Sequence, residues 1–162
     1  MQKTSLRRVN VFTSPDPPSI FHFPLEGLLP PGTLLALNTQ LGTLSHISSH
    51  NGIPMLLEEQ QFAPGEICLL KPLLEAHPHF CPSEVLLANL NCNNASERAV
   101  ALCRQRLQEA LMERRWSQEM GPVRNLLSRV RPKMHAFEID IFSIVETGYI
   151  LMSRPRQFKK EA

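Results

Sequence analysis

Residues 121–152 read GPVRNLLSRVRPKMHAFEIDIFSIVETGYILM, and two periodicities meet in them. Between Gly121 and His135, the side chains of Val123, Leu126, Leu127, Val130 and Met134 fall within one arc of roughly 100° at a helical turn of about 100° per residue. That spacing predicts a helix with one apolar stripe. Arg124, Asn125, Ser128, Arg129 and Arg131 lie off the stripe, so the free face is basic. Pro132 is expected to disturb the final turn. Beyond it, Ile139 to Ile144 and Tyr149 to Met152 read as two apolar strands of a hairpin closing on Gly148-Tyr149.

The charge distribution agrees that this end is different. Residues 1–95 hold four Lys/Arg against seven Asp/Glu, and residues 96–162 hold thirteen against eight. Positive charge gathered in one region is the footprint of a polyanionic partner, or else a solvated basic face. The whole chain has 162 residues, 43% apolar and 20% charged, which fits one soluble globular domain. No apolar run reaches the roughly 18 residues that would cross a bilayer, so no membrane is expected. The start, MQKTSLRRVNVF, shows no apolar core of a signal peptide, which points to the cytoplasm. Cys68, Cys81, Cys92 and Cys103 form no CxxC pair and are expected to be reduced.

Upstream of the opening stretch, residues 13–32 carry six prolines, a density that forbids helix and disfavours ladder pairing. Residues 1–32 are therefore read as a proline-rich arm, packed on the domain through Ile20, Phe21 and Phe23, with a short alternating strand at Arg8 to Phe12. Thr33 to Leu37, Leu44 to Ser48 and Ile53 to Leu57 suggest a small antiparallel sheet, with Asn51-Gly52 as a hairpin signal between the last two. A helix opens at Ala63-Pro64-Gly65-Glu66, with Pro72 expected to kink it or shift its start, and ends at His77-Pro78. A second helix starts near Pro82-Ser83-Glu84. Ser96 caps a third that runs to about Arg115, its stripe being Ala99/Val100, Cys103, Leu107 and Ala110/Leu111.

This order resembles the OmpR/PhoB-type winged-helix DNA-binding domain over about residues 40–153. The likeness rests on three pieces: Val123 to Met134, similar to the family's recognition helix; Ile144 to Leu151, similar to its wing; and Phe62-Ala63-Pro64-Gly65-Glu66 with Leu69, Leu70, Leu73 and Leu74, similar to its first helix. The resemblance implies an α+β winged helix-turn-helix with an N-terminal antiparallel sheet, about four helices and a C-terminal β-hairpin wing. It places the domain at 33–153, with an inserted helical segment at 91–119 and a basic tail at 154–162. Two departures stand out. At most about 60 residues precede the first helix, too few for the family's receiver domain. The wing tip carries Val145 and Glu146 where the family often has an arginine, and phosphate would repel Glu146.

The resemblance implies a sequence-specific double-stranded DNA-binding protein, a transcriptional regulator that reads the major groove with helix 121–135. Arg124, Asn125 and Ser128 stand in the first turns, where arginine reads guanine and asparagine reads adenine. Arg129, Arg131, Lys133, Arg154 and Arg156 are expected on phosphates. The inserted segment would meet RNA polymerase or another protein. A homodimer would need the arm or that segment as its surface. The rival readings are that these arginines pair with Glu97, Glu109, Glu113 or Glu119, and that the chain is a protein-interaction subunit of a larger complex. Trp116 would anchor the insertion to the core or stand as a partner contact. His77, His79, Cys81 and Cys92 follow no common zinc spacing. GxSxG, HExxH and phosphate-binding glycine loops are missing, so neither an enzyme nor a bound cofactor or metal is expected.

Overall fold

The computed structural model describes residues 19–76, 78–92 and 96–154. The chain is α+β: a four-stranded antiparallel sheet, five helices and a C-terminal hairpin. The sheet runs β1 (Ile20–Phe23), β2 (Thr33–Asn38), β3 (Thr43–Ser48) and β4 (Met55–Gln61), paired in that order. Register opposes Leu35 to His46 and Leu37 to Leu44, and all four side chains are buried on one face. Strand alternation therefore makes a single core-facing layer.

Two sequence expectations change here. The arm's second half is not outside the domain, because Ile20–Phe23 forms the edge strand β1 against β2. The four residues fit between Pro18 and Pro24, at an edge where missing N–H donors matter least. The expected strand Arg8 to Phe12 lies outside the described residues. Asn51-Gly52 does not make a two-residue hairpin. It sits in a 3-10 turn at His50–Gly52, with Asn51 at φ 56° and Gly52 at φ 73°. The following strand then begins at Met55, and a bulge between His46 and Ile47 shifts its register.

Helix α1 (Pro64–Glu75) starts where Pro64 predicted, and Glu66 accepts the Ala63 backbone N–H at 2.7 Å. Pro72 neither breaks it nor moves its start. The ring is buried, and the helix stops only three residues later at Glu75, with Ala76 extended before the His77-Pro78 pair. A short strand β5 (Phe80–Pro82), not anticipated from sequence, leads into α2 (Ser83–Cys92). Ser96 caps α3 (Glu97–Met112) by accepting the Ala99 N–H at 3.2 Å. Cys103, Leu107 and Ala110 are its buried stripe, while Leu111 is exposed. The helix ends before Arg115 because Arg114 adopts a positive φ of 57°. A single turn, α4 (Trp116–Glu119), brings the helix count to five where about four were expected.

Helix α5 (Gly121–His135) buries Val123, Leu127, Val130 and Met134, as its periodicity predicted, and continues through Pro132. Strands β6 (Ile139–Ile144) and β7 (Gly148–Ser153) form the terminal hairpin, with Glu146 at φ 53° in its tip. β5 adds to β7, so the second sheet has the order β5-β7-β6. Ile139, Ile141 and Leu151 point inward and join α5, α1, α2 and the first sheet in one core. Fully burying each such side chain contributes about 1.5–3 kcal/mol. The hairpin is thereby clamped to α5, which holds the free face of that helix in place.

Candidate nucleic-acid interface

The helical period divides the exposed face of α5 into two rows. Arg124, Ser128 and Arg131 form the row nearer the hairpin, where they line a cleft of 180 Å³ with Ser143 and Tyr149. Asn125 and Arg129 form the outer row, both exposed. Arg124 and Arg129 make no ion pair among the described residues. Among the described residues no carboxylate neutralises either charge. Ser128 donates its hydroxyl back to the Asn125 carbonyl at 2.6 Å, leaving its oxygen free only as an acceptor.

Arg131 is partly committed. Its Nε donates to Asp140 Oδ1 at 3.3 Å, and His135 Nε2 lies 3.0 Å from the same oxygen. Burial alone would raise the Asp140 carboxyl. Hydrogen bonds from His135, the Ile141 N–H at 2.8 Å and Arg131 outweigh it and hold the group below its ordinary value. This cluster ties the end of α5 to the first turn of β6.

Lys133 does not belong to the exposed face, and its assignment as a phosphate contact is corrected. It lies on the opposite side of α5, with Nζ 3.0 Å and 3.5 Å from the two oxygens of Glu66 and 5.0 Å from the Phe62 ring centre. The Glu66 residue is only 3% exposed. A carboxylate removed from water must keep a cation, so Lys133 is a latch between α5 and the start of α1. Arg154 is exposed just beyond β7, anchored by its backbone N–H to Glu138 O at 2.7 Å. Arg156 lies outside the described residues.

The rival in which the α5 arginines neutralise the acids of the insertion does not occur among the described residues. Glu119 pairs with Arg106 and Glu113 with Arg115. Trp116 is half-buried and packs against the core, with one side open. Tyr149 is half-buried beside Arg124, Leu127 and Ser128 of α5, and burial raises its phenol, with Arg124 opposing. Sequence reasoning passed over Ser143, which the hairpin register sets directly across from Tyr149. Period-2 alternation from Ile139 was the signal that could have found it. Ser83 and Ser117 had no such local signal.

Among the described residues no three His, Cys, Asp or Glu side chains converge. Burial, then Glu84 and Glu75, push the Cys81 thiol up to about 12, far from thiolate chemistry. No described helix is long and apolar enough to cross a membrane. No protein-family model, no curated protein and no solved structure matches this chain.

Proposed function

We propose that this chain is a winged-helix protein that binds double-stranded DNA, with α5 in the major groove and the β6–β7 hairpin as the wing. One observation carries the reading: Arg124 and Arg129 stand exposed and without a carboxylate partner among the described residues, on a helix immobilised by the hairpin behind it. An unpaired guanidinium on a rigid helix meets the base edges or phosphates of a groove without first breaking an internal bond. The element order adds support: sheet, α1, β5, α2, then α5 and a hairpin that β5 joins. Asn125 and Ser128 complete the base-facing set. Arg131 and Arg154 ride the backbone, and sequence-specific binding makes the chain a transcriptional regulator.

The test is fluorescence anisotropy of a random duplex library over a salt series, with sequencing of the bound fraction. The reading expects affinity to fall steeply with salt, and one motif to be enriched. Binding that ignores salt, or no binding at low salt, would refute it.

A second reading is favoured by the hairpin itself. Val145 at the tip is 82% exposed, and Phe142, Ile144 and Met152 are exposed beside it. An apolar tip that also carries Glu146 suits a protein partner better than a phosphate backbone. On that reading the chain is a protein-interaction subunit, and charge reversal at Arg124 would leave partner binding intact while Val145→Asp abolished it.

A further inference from the structure

A second cleft opens where α2, α4, α5 and the hairpin meet. Its volume is 320 Å³, and its lining includes Ser83, Trp116, Ser117, Arg124, Ser143 and Tyr149, with Glu146 beside them. Small-molecule sites begin at about this size and combine aromatic walls with a few convergent polar groups. Those six side chains come from five elements and supply one cation, four hydroxyls and two aromatic rings.

Two observations concern the polar groups of this cleft. Ser83 is only 2% exposed, yet its hydroxyl has no hydrogen-bond partner among the described residues. The residue lines the cleft, so its hydroxyl keeps its hydrogen-bonding capacity toward that space. Its position as the first residue of α2, a helix of 10 residues, adds the partial positive charge of a helix start. Arg124 likewise reaches the cleft, and makes no ion pair among the described residues. The charge balance then sets the ligand's class. One arginine lines the cleft, and so does one carboxylate, Glu146. A single negative charge is balanced by Arg124, whereas a second would be repelled by Glu146. Trp116 and Tyr149 both line the cleft, so an aromatic body suits its walls.

We propose that this cleft binds a small aromatic monocarboxylate, its carboxylate held by Arg124 and the Ser83 and Ser143 hydroxyls and its ring lying against Trp116 and Tyr149. The site goes beyond the DNA reading and stands without it. If both hold, a ligand that occupies Arg124 removes it from DNA, and the cleft becomes an effector site.

Trp116 is the chain's only tryptophan, so its fluorescence reports the cleft directly. The full chain is titrated with sodium benzoate at constant ionic strength. The expected result is a saturable change, weakened about tenfold or more in Ser83→Ala and in Arg124→Ala. Phenyl phosphate, a dianion, is expected to bind more weakly than benzoate, and Glu146→Gln to narrow that gap. Should Ser83→Ala lose helical circular dichroism, Ser143→Ala at an exposed strand position is expected to show the same direction of loss. Non-saturating quenching, variants indistinguishable from the parent chain, or tighter binding of phenyl phosphate than of benzoate would each overturn the proposal.

Discussion

Replacing Lys133 with alanine tests the division of α5 into a free face and a structural one. The ammonium sits 3.0 Å from Glu66 Oε1 and over the Phe62 ring. Removing it strands a carboxylate on a residue only 3% exposed, with the Ala63 N–H at 2.7 Å as its remaining donor. Breaking a fully buried ion pair from one side costs about 3–5 kcal/mol. Here the Lys133 side chain is 33% exposed, so water screens the pair and enters once the lysine is gone. The loss is therefore placed at about 2 kcal/mol, of which the cation over Phe62 accounts for about 0.5–1 kcal/mol. Glu66→Gln should be milder, near 1 kcal/mol, because an amide oxygen still accepts the Ala63 N–H and the lysine is left partly in water. Urea unfolding followed by circular dichroism measures both. A shift of 2 kcal/mol moves the midpoint by about 1 M for a chain of this size, at a slope of about 2 kcal/mol/M. The same variant, still folded, should keep the salt dependence of DNA binding unchanged. A Lys133→Ala protein as stable as its parent, or one whose DNA salt slope falls by about one unit, would refute the latch.

Further expectations follow from the same geometry. Arg129→Ala should weaken DNA binding by about 1–3 kcal/mol and lower the salt slope by about one, read by anisotropy across a salt series. His46 is buried against Phe137 with its Nε2 unpartnered among the described residues, and burial, only partly opposed by Glu138, lowers its titration below 6.5. The folded chain therefore binds this proton less readily than the unfolded one. Its contribution is complete above pH 6.5 and is lost as pH falls from there toward the folded value, and His46→Leu should flatten that slope in urea titrations. Gly42→Ala should destabilise by more than about 1 kcal/mol, because φ is 72° and a Cβ would stand 2.5 Å from the Phe62 carbonyl oxygen. Ile141→Ala, at a site 1% exposed under α5, should cost about 2–5 kcal/mol in thermal or chemical unfolding.

Local periodicity carries some of these features in full. The bounds and buried stripe of α5, the Ser96 cap and the pairing of β6 with β7 all depend on residues within a turn or a hairpin of one another. The sequence by itself therefore determined which faces are apolar, that Arg124, Asn125, Ser128 and Arg129 lie on a free one, and that a hairpin follows. It could not say against what each face packs. Lys133 looked like a neighbour of Arg129 and Arg131, because one-dimensional spacing does not reveal a buried carboxylate 67 positions away. The same holds for β5 on β7, for β1 on β2 across a proline-rich stretch, and for Arg131 on Asp140. The cleft is the extreme case, since Ser83, Ser117, Ser143 and Arg124 belong to four different elements and no short window contains two of them at contact spacing. Tertiary structure decided these because pairing across distant segments is selected by the packing of the whole core, whereas helix and strand periods record only the division between inside and outside.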